Sequence, residues 1–113
     1  MATHIRITRA QGTWSVRSGG AVLVESANAL ELTEGSYPPA IYFPREDVGM
    51  SFLDPSDTSS KCPYKGAATY FSIAGKSGTI KDAGWSYEDP LEDVAAIKGH
   101  IAFFTDKVTV EQL

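Results

Sequence analysis

Apolar and polar residues alternate in short runs along this chain, and glycine or proline interrupts one run after another. That pattern confines the chain to small antiparallel sheets. Trp14, Val16, Val22 and Val24 alternate with polar positions on either side of Ser18-Gly19-Gly20-Ala21. Paired glycines between alternating runs predict a β-hairpin, because glycine adopts the positive φ of a tight turn without steric cost. Leu30 and Leu32 continue the alternation until Gly35-Ser36-Tyr37-Pro38-Pro39 breaks it, since proline lacks the N–H of a central ladder. Ile41-Tyr42-Phe43, cut off by Pro44, reads as an edge strand or a strand end. Val48, Met50 and Phe52 predict a further strand, and Asp54-Pro55-Ser56-Asp57 predicts a turn.

Next comes Thr58 to Gly66, read as a loop with Cys62-Pro63-Tyr64-Lys65 inside it. The clearest strand follows over Ala67 to Ile73. Ala68, Tyr70 and Ser72 would face one side of it, and Thr69, Phe71 and Ile73 the other. Gly75-Lys76-Ser77-Gly78 should turn the chain back into Thr79-Ile80-Lys81, with Trp85 and Tyr87 sharing one face of that strand. Asp89-Pro90-Leu91-Glu92 carries helix-start signals: a capping carboxylate, a proline at the first position and a glutamate three residues after the cap. A short helix over 90–98 is expected, with Leu91, Val94 and Ala95 as its apolar stripe and Gly99 as its C-cap. A helix of that length needs a sheet to lie on. His100 to Phe104 and Val108 to Val110 should finish the sheet. The fold class is mainly β, and 113 residues are expected to form a single domain spanning 1–113.

Composition narrows the partners. The formal net charge is -4, and the ten Lys and Arg are scattered singly. Phosphate-backbone binding needs clustered cations, so no nucleic acid partner is expected. No apolar segment approaches the ~20 residues that span a bilayer, and the N-terminus lacks the apolar stretch of a secretion signal. A soluble, cytoplasmic setting follows as the expectation. One cysteine makes no internal disulfide and no thiolate cage for zinc, so no metal site is expected. The residues name no cofactor.

Several residues carry chemistry. Cys62 is the one thiol, and a neighbouring ammonium such as Lys65 would favour its thiolate. A nucleophilic cysteine also wants a base, for which His100 is the available candidate. The plainer reading makes Cys62 a small buried hydrophobe. Arg45, beside Asp47 after Tyr42-Phe43-Pro44, can grip a carboxylate or phosphate through its planar fork, or form a solvated turn. With two Trp, five Tyr and five Phe the chain can build aromatic walls. Trp85 and Tyr87 with Tyr70 would form one, suited to a flat or anionic small molecule.

The order of motifs resembles one small bacterial family. Leu32-Thr33-Glu34 and Pro38 come first, then Tyr42-Phe43-Pro44-x-x-Asp47-Val48, then Thr58-x3-Cys62-Pro63-x-Lys65-Gly66-x-Ala68-x-Tyr70. Asp82-Ala83-x-Trp85-x-Tyr87-x-x-Pro90 and Ile97-x-Gly99-x-Ile101-Ala102-Phe103 complete the series. It resembles the uncharacterised family known as domain of unknown function 427, from about Glu25 to Val110. The resemblance implies an Mss4-like, or β-tent, arrangement in which antiparallel sheets meet at an angle. Zinc-bearing relatives of that architecture use paired cysteines; here Lys65 stands where the second thiolate would be. The family's label also implies a nucleotidyltransferase, but the chain has no Gly-Ser element followed by an Asp-x-Asp pair for Mg²⁺.

These readings converge on a small-molecule binding domain for an anionic ligand. Its pocket would be lined by Tyr42, Arg45, Asp47, Cys62, Lys65, Trp85 and Tyr87, with Arg45 and Lys65 on the anionic group. Two alternatives stand beside it. One is an enzyme that uses Cys62 and Lys65 as catalytic groups. The other is an interaction module whose strand edge near Tyr42-Phe43 takes a protein partner or a second copy.

Overall fold

The computed structural model describes residues 4–75 and 78–113. Among them, ten strands form three antiparallel sheets. The first sheet runs β1 (Ile5–Arg9), β4 (Leu30–Glu34), β5 (Ala40–Tyr42). The second runs β10 (Thr109–Gln112), β2 (Trp14–Ser18), β3 (Ala21–Ser26). The third and largest runs β6 (Leu53–Cys62), β7 (Gly66–Gly75), β8 (Gly78–Ser86), β9 (Ile101–Phe103). The fold is mainly β and antiparallel throughout, as the alternation implied. No helix among the described residues is long and apolar enough to cross a membrane.

Both faces of the large sheet are covered, each by its own apolar cluster. Phe71 and Ile73 of β7 join Val16, Leu23, Val24 and Phe43 in one cluster. Ala68 and Tyr70, on the other face, join Leu32, Tyr42, Tyr87 and Ile97 in the second. The division predicted for Ala67 to Ile73 is therefore the division of the protein into two cores. β9 repeats it, sending Ile101 and Phe103 to the first cluster and Ala102 to the second.

Backbone bonds between sheets hold this arrangement. Phe43 N–H donates to the Ile101 carbonyl at 2.8 Å, and Ile101 N–H returns the bond at 2.9 Å. Gly49 N–H donates to Leu23 O at 2.7 Å, beside a bridge between Val24 and Val48. The Tyr42-Phe43 segment is thus not an open edge. Both side chains are fully buried, because Tyr42 pairs with Leu30 while Phe43 bonds Ile101.

Several local expectations need correction. The Ser18–Ala21 hairpin forms as read, with Ser18 opposite Ala21. Val48 to Phe52 is not a strand: Val48 and Gly49 link two 3-10 turns, Arg45–Asp47 and Met50–Phe52. The bond from Gly49 to Leu23 commits the backbone there to crossing between sheets. Asp54 to Asp57 is not a turn; it belongs to β6, whose register shifts between Pro55 and Ser59. A bulge of this kind absorbs a proline that a regular ladder would reject. Cys62 ends β6 rather than lying in a loop. β10 pairs with β2 in a different sheet instead of completing the sheet of β9. β1 is a further strand, in which Ile5 and Ile7 alternate with Arg6 and Thr8. The turn expected at Lys76-Ser77 lies outside the described residues.

The short helix near the C-terminus is a 3-10 turn, Glu92–Ile97, with Val94 off helical dihedrals. Asp89 does not cap it; Leu91 occupies that position, extended, and its N–H is held by Lys65 O at 3.0 Å. Val94 and Ile97 are buried while Leu91 and Ala95 are exposed, which is the three-residue period of a 3-10 turn.

Gly84 shows how closely the large sheet is packed. It sits opposite Phe71 on one side and Phe103 on the other. A Cβ there would stand 2.9 Å from the Ala102 carbonyl oxygen and 3.3 Å from the Phe103 ring. Gly84→Ala should therefore destabilise the fold by about 1–3 kcal/mol, the usual cost of overpacking. Urea unfolding measures this, and an unchanged midpoint would contradict the packing described.

Candidate functional site

The Cys62–Gly66 hairpin builds one end of the site. Its three-residue tip, Pro63-Tyr64-Lys65, closes with Lys65 N–H on Cys62 O at 3.3 Å. Gly66 then leaves at φ 112°, a value that strongly favours glycine. This geometry turns the Lys65 side chain inward, leaving the residue only 8% exposed. Its Nζ donates to Glu34 Oε1 at 2.6 Å, at the end of β4. On the other oxygen of the same carboxylate, His4 Nε2 lies at 3.5 Å, and the His4 ring meets Tyr64 edge-on at 4.5 Å. The hairpin tip is thus fastened to the first sheet through Glu34.

Beside this ion pair lies a hollow of about 200 Å³. Tyr42, Tyr70, Trp85, Tyr87 and Phe104 supply its aromatic walls, and Tyr37 stands at the same hollow, 73% exposed. The rings support one another: Trp85 and Phe104 centroids lie 4.5 Å apart, and Tyr70 stacks on Phe104 at 6.3 Å. Trp85 Nε1–H donates to the Tyr42 hydroxyl at 3.0 Å, which fixes both rings. The Tyr70 hydroxyl lies 2.9 Å from Ser60 Oγ. Tyr87 is only 6% exposed, yet among the described residues no hydrogen bond is formed by its hydroxyl, and it lines the hollow.

Burial raises the Tyr42 and Tyr87 hydroxyls above the ordinary value of 10.0, so both stay protonated at neutral pH. Burial alone would lower the Lys65 ammonium, but its hydrogen bond to Glu34 and the Tyr87 and Cys62 groups nearby leave it raised. The same hydrogen bond, against the opposing effect of burial, holds the Glu34 carboxyl below its ordinary range. The hollow therefore presents a charged, internally neutral pair and a protonated phenol on an otherwise aromatic surface.

Tyr42, Lys65, Trp85 and Tyr87 of the sequence-derived set thus come together. Cys62, partly exposed, packs at the edge of the cluster that contains Tyr42 and Tyr87. Arg45 and Asp47 are elsewhere. Arg45 Nε–H donates to Gly99 O at 3.0 Å, its guanidinium also meets Ser86 and Glu88, and it lies 5.8 Å from the centre of the Phe71 ring. Phe71 belongs to the opposite face of the sheet from Trp85 and Tyr87. Asp47 accepts from Ser26 Oγ at 2.6 Å. His100, the base considered for Cys62, has its Nδ1 3.1 Å from the Lys98 carbonyl.

Glu34, Tyr37 and Phe104 are the functional candidates missed by sequence reasoning. Glu34 had a legible signal, since Leu30, Leu32 and Glu34 share one face of β4 by their spacing of two. A larger hollow of about 650 Å³ opens between the Ser18–Ala21 and β7–β8 hairpins, over Leu23, Phe52 and Ile80. No ionisable side chain among the described residues lines it. Among the described residues no three His, Cys, Asp or Glu side chains gather as a metal would require.

Fold and site together define a mainly β protein with an aromatic hollow closed at one end by a partly buried ion pair. The chain belongs to the family described as Domain of unknown function (DUF427), which it matches over residues 6–112. A search of curated proteins finds no match to it.

The ion pair gives a pH signature. Glu34 is lowered from 4.5, so its contribution is complete above that value and is lost as pH falls through the lower folded one. Lys65 is raised from 10.5, so its contribution is complete below that value and is lost as pH rises through the higher folded one. The stability difference between wild type and Glu34→Gln should be about 1–3 kcal/mol and flat from roughly pH 8 to 10, above the range in which a histidine such as His4 beside Glu34 is ordinarily charged. It should shrink above that window and again below about pH 4. Chemical denaturation across pH tests this, and a difference that grows below pH 4 would refute the pairing.

Proposed function

We propose that this protein is a small-molecule binding domain. Its ligand places a ring against Trp85, Tyr70 and Phe104 and an acidic group at Lys65. One observation carries the reading: Tyr42, Lys65, Trp85 and Tyr87, from three separated stretches of chain, converge on a single solvent-reachable hollow. Polar groups converging on an apolar concavity are the usual form of such a site. The volume of about 200 Å³ suits a single-ring compound or the ring-bearing end of a larger one. Lys65 supplies the cation and the Tyr87 hydroxyl supplies a directional hydrogen bond.

A thermal-shift screen of ring-bearing carboxylates and phosphates tests the proposal. Ligand at a hundred times its Kd stabilises the native state by about 2.7 kcal/mol. For a domain near this size that raises the melting midpoint by roughly 10 °C. The shift should be absent in Lys65→Met and reduced in Tyr87→Phe. If no compound of this class moves the midpoint, or if Lys65→Met responds as the wild type does, the proposal fails.

A further inference from the structure

We infer that the ligand is a compact zwitterion carrying one ring, its carboxylate directed to Lys65 and its ammonium to Glu34; this rests on the binding function proposed above and specifies it. The argument starts from the pairing of Lys65. With its Nζ 2.6 Å from Glu34 Oε1, the ammonium is not free to act as a simple anion receptor. A lone carboxylate entering the hollow meets Lys65 and Glu34 at nearly the same distance, so attraction and repulsion largely cancel. The same cancellation penalises a lone ammonium. A molecule with both charges a few ångströms apart meets each wall charge with its opposite, and it leaves the existing ion pair intact.

Position supports this. Glu34 and Lys65 line the hollow side by side, and both side chains are mostly buried, so their field is weakly screened. Aromatic faces around them attract the cationic half of such a molecule and stack on its ring. The Tyr87 hydroxyl, without a partner among the described residues, is available to the carboxylate. The volume admits one ring with a short charged tail.

Calorimetric titration with four probes at pH 8, where histidine is ordinarily neutral, tests the inference. The probes are phenylalanine, phenylacetate, phenethylamine and glycine. Phenylalanine should bind about tenfold or more tightly than either singly charged analogue, and glycine should bind more weakly still for want of a ring. The variants should then reverse the preference. Glu34→Gln leaves Lys65 unopposed and should favour phenylacetate, whereas Lys65→Met leaves Glu34 unopposed and should favour phenethylamine. The double variant E34Q/K65M, which keeps the shapes and removes both charges, should lose the preference for phenylalanine. Circular dichroism and the melting midpoint report whether each variant folds; if one single variant does not, the other still carries the reversal. Wild-type binding of phenylacetate as tight as that of phenylalanine would overturn the zwitterion while leaving the binding function standing. Absence of binding by all four probes, with no hit among ring-bearing acids, would overturn both.

Discussion

The exchange of hydrogen bonds between Phe43 and Ile101 is the joint on which the rest of the structure depends. It brings the end of β5 against β9 and so lays the first sheet beside the large one. Because consecutive strand residues point to opposite faces, that one joint sends Phe43 into one core and Tyr42 into the other. The site exists as a consequence. Tyr42 carries the hydroxyl that receives Trp85 Nε1–H, and this bond crosses from the first sheet to the third. A displacement of one residue at the joint would exchange a tyrosine for a phenylalanine and remove that acceptor. The aromatic wall is therefore set by backbone register before any side chain packs.

The Lys65–Glu34 pair is a second cross-sheet bond of a different kind. Desolvating two charges is costly, and a buried pair often contributes little net stability compared with an apolar replacement. Its merit lies in direction. Lys65 reaches Glu34 only if the Cys62–Gly66 hairpin folds over the first sheet. The hairpin's own backbone reinforces that pose, since Lys65 O accepts from Leu91 N–H and so ties the tip to the segment before the 3-10 turn. Arg45 does comparable work on the opposite face, joining Gly99 O, Ser86 and Glu88. Two cations adjacent to family motifs thus hold different parts of the fold, and Lys65 alone also lines the aromatic hollow.

Period-two alternation made the sheets legible, and nowhere more than in β7, where Phe71 and Tyr70 separate into different cores as their spacing demands. Reading failed where a local signal was overruled by a partner distant in sequence. Asp54-Pro55-Ser56-Asp57 has turn chemistry, yet β7 captures it into a bulged strand, and Ser56 and Thr58 each donate to the Asp82 carboxylate at 2.6 Å. Asp89-Pro90-Leu91-Glu92 has helix-start chemistry, but the bond from Leu91 N–H to Lys65 O spends the backbone before a helix can form. Half of the proposed pocket was legible for the same reason that half of it was not. Tyr42, Trp85 and Tyr87 follow from strand parity, whereas Arg45 stands after a turn, where parity no longer assigns a face.

The hollow itself is the feature a folding argument would not demand. It is a solvent-reached concavity of about 200 Å³ lined by six aromatic side chains, which could have collapsed onto one another to bury their faces. Here the rings hold one another apart. Trp85 is pinned edge-on to Tyr42 and tilted against Phe104, which in turn stacks on Tyr70, so none can rotate inward without breaking a contact. The ring of Tyr87 is buried while its hydroxyl, with no protein partner among the described residues, faces the solvent-reached hollow, where water or a ligand can meet it. The rigid aromatic frame alone is enough to keep the space open, and the Tyr87 hydroxyl gives it one directional polar group.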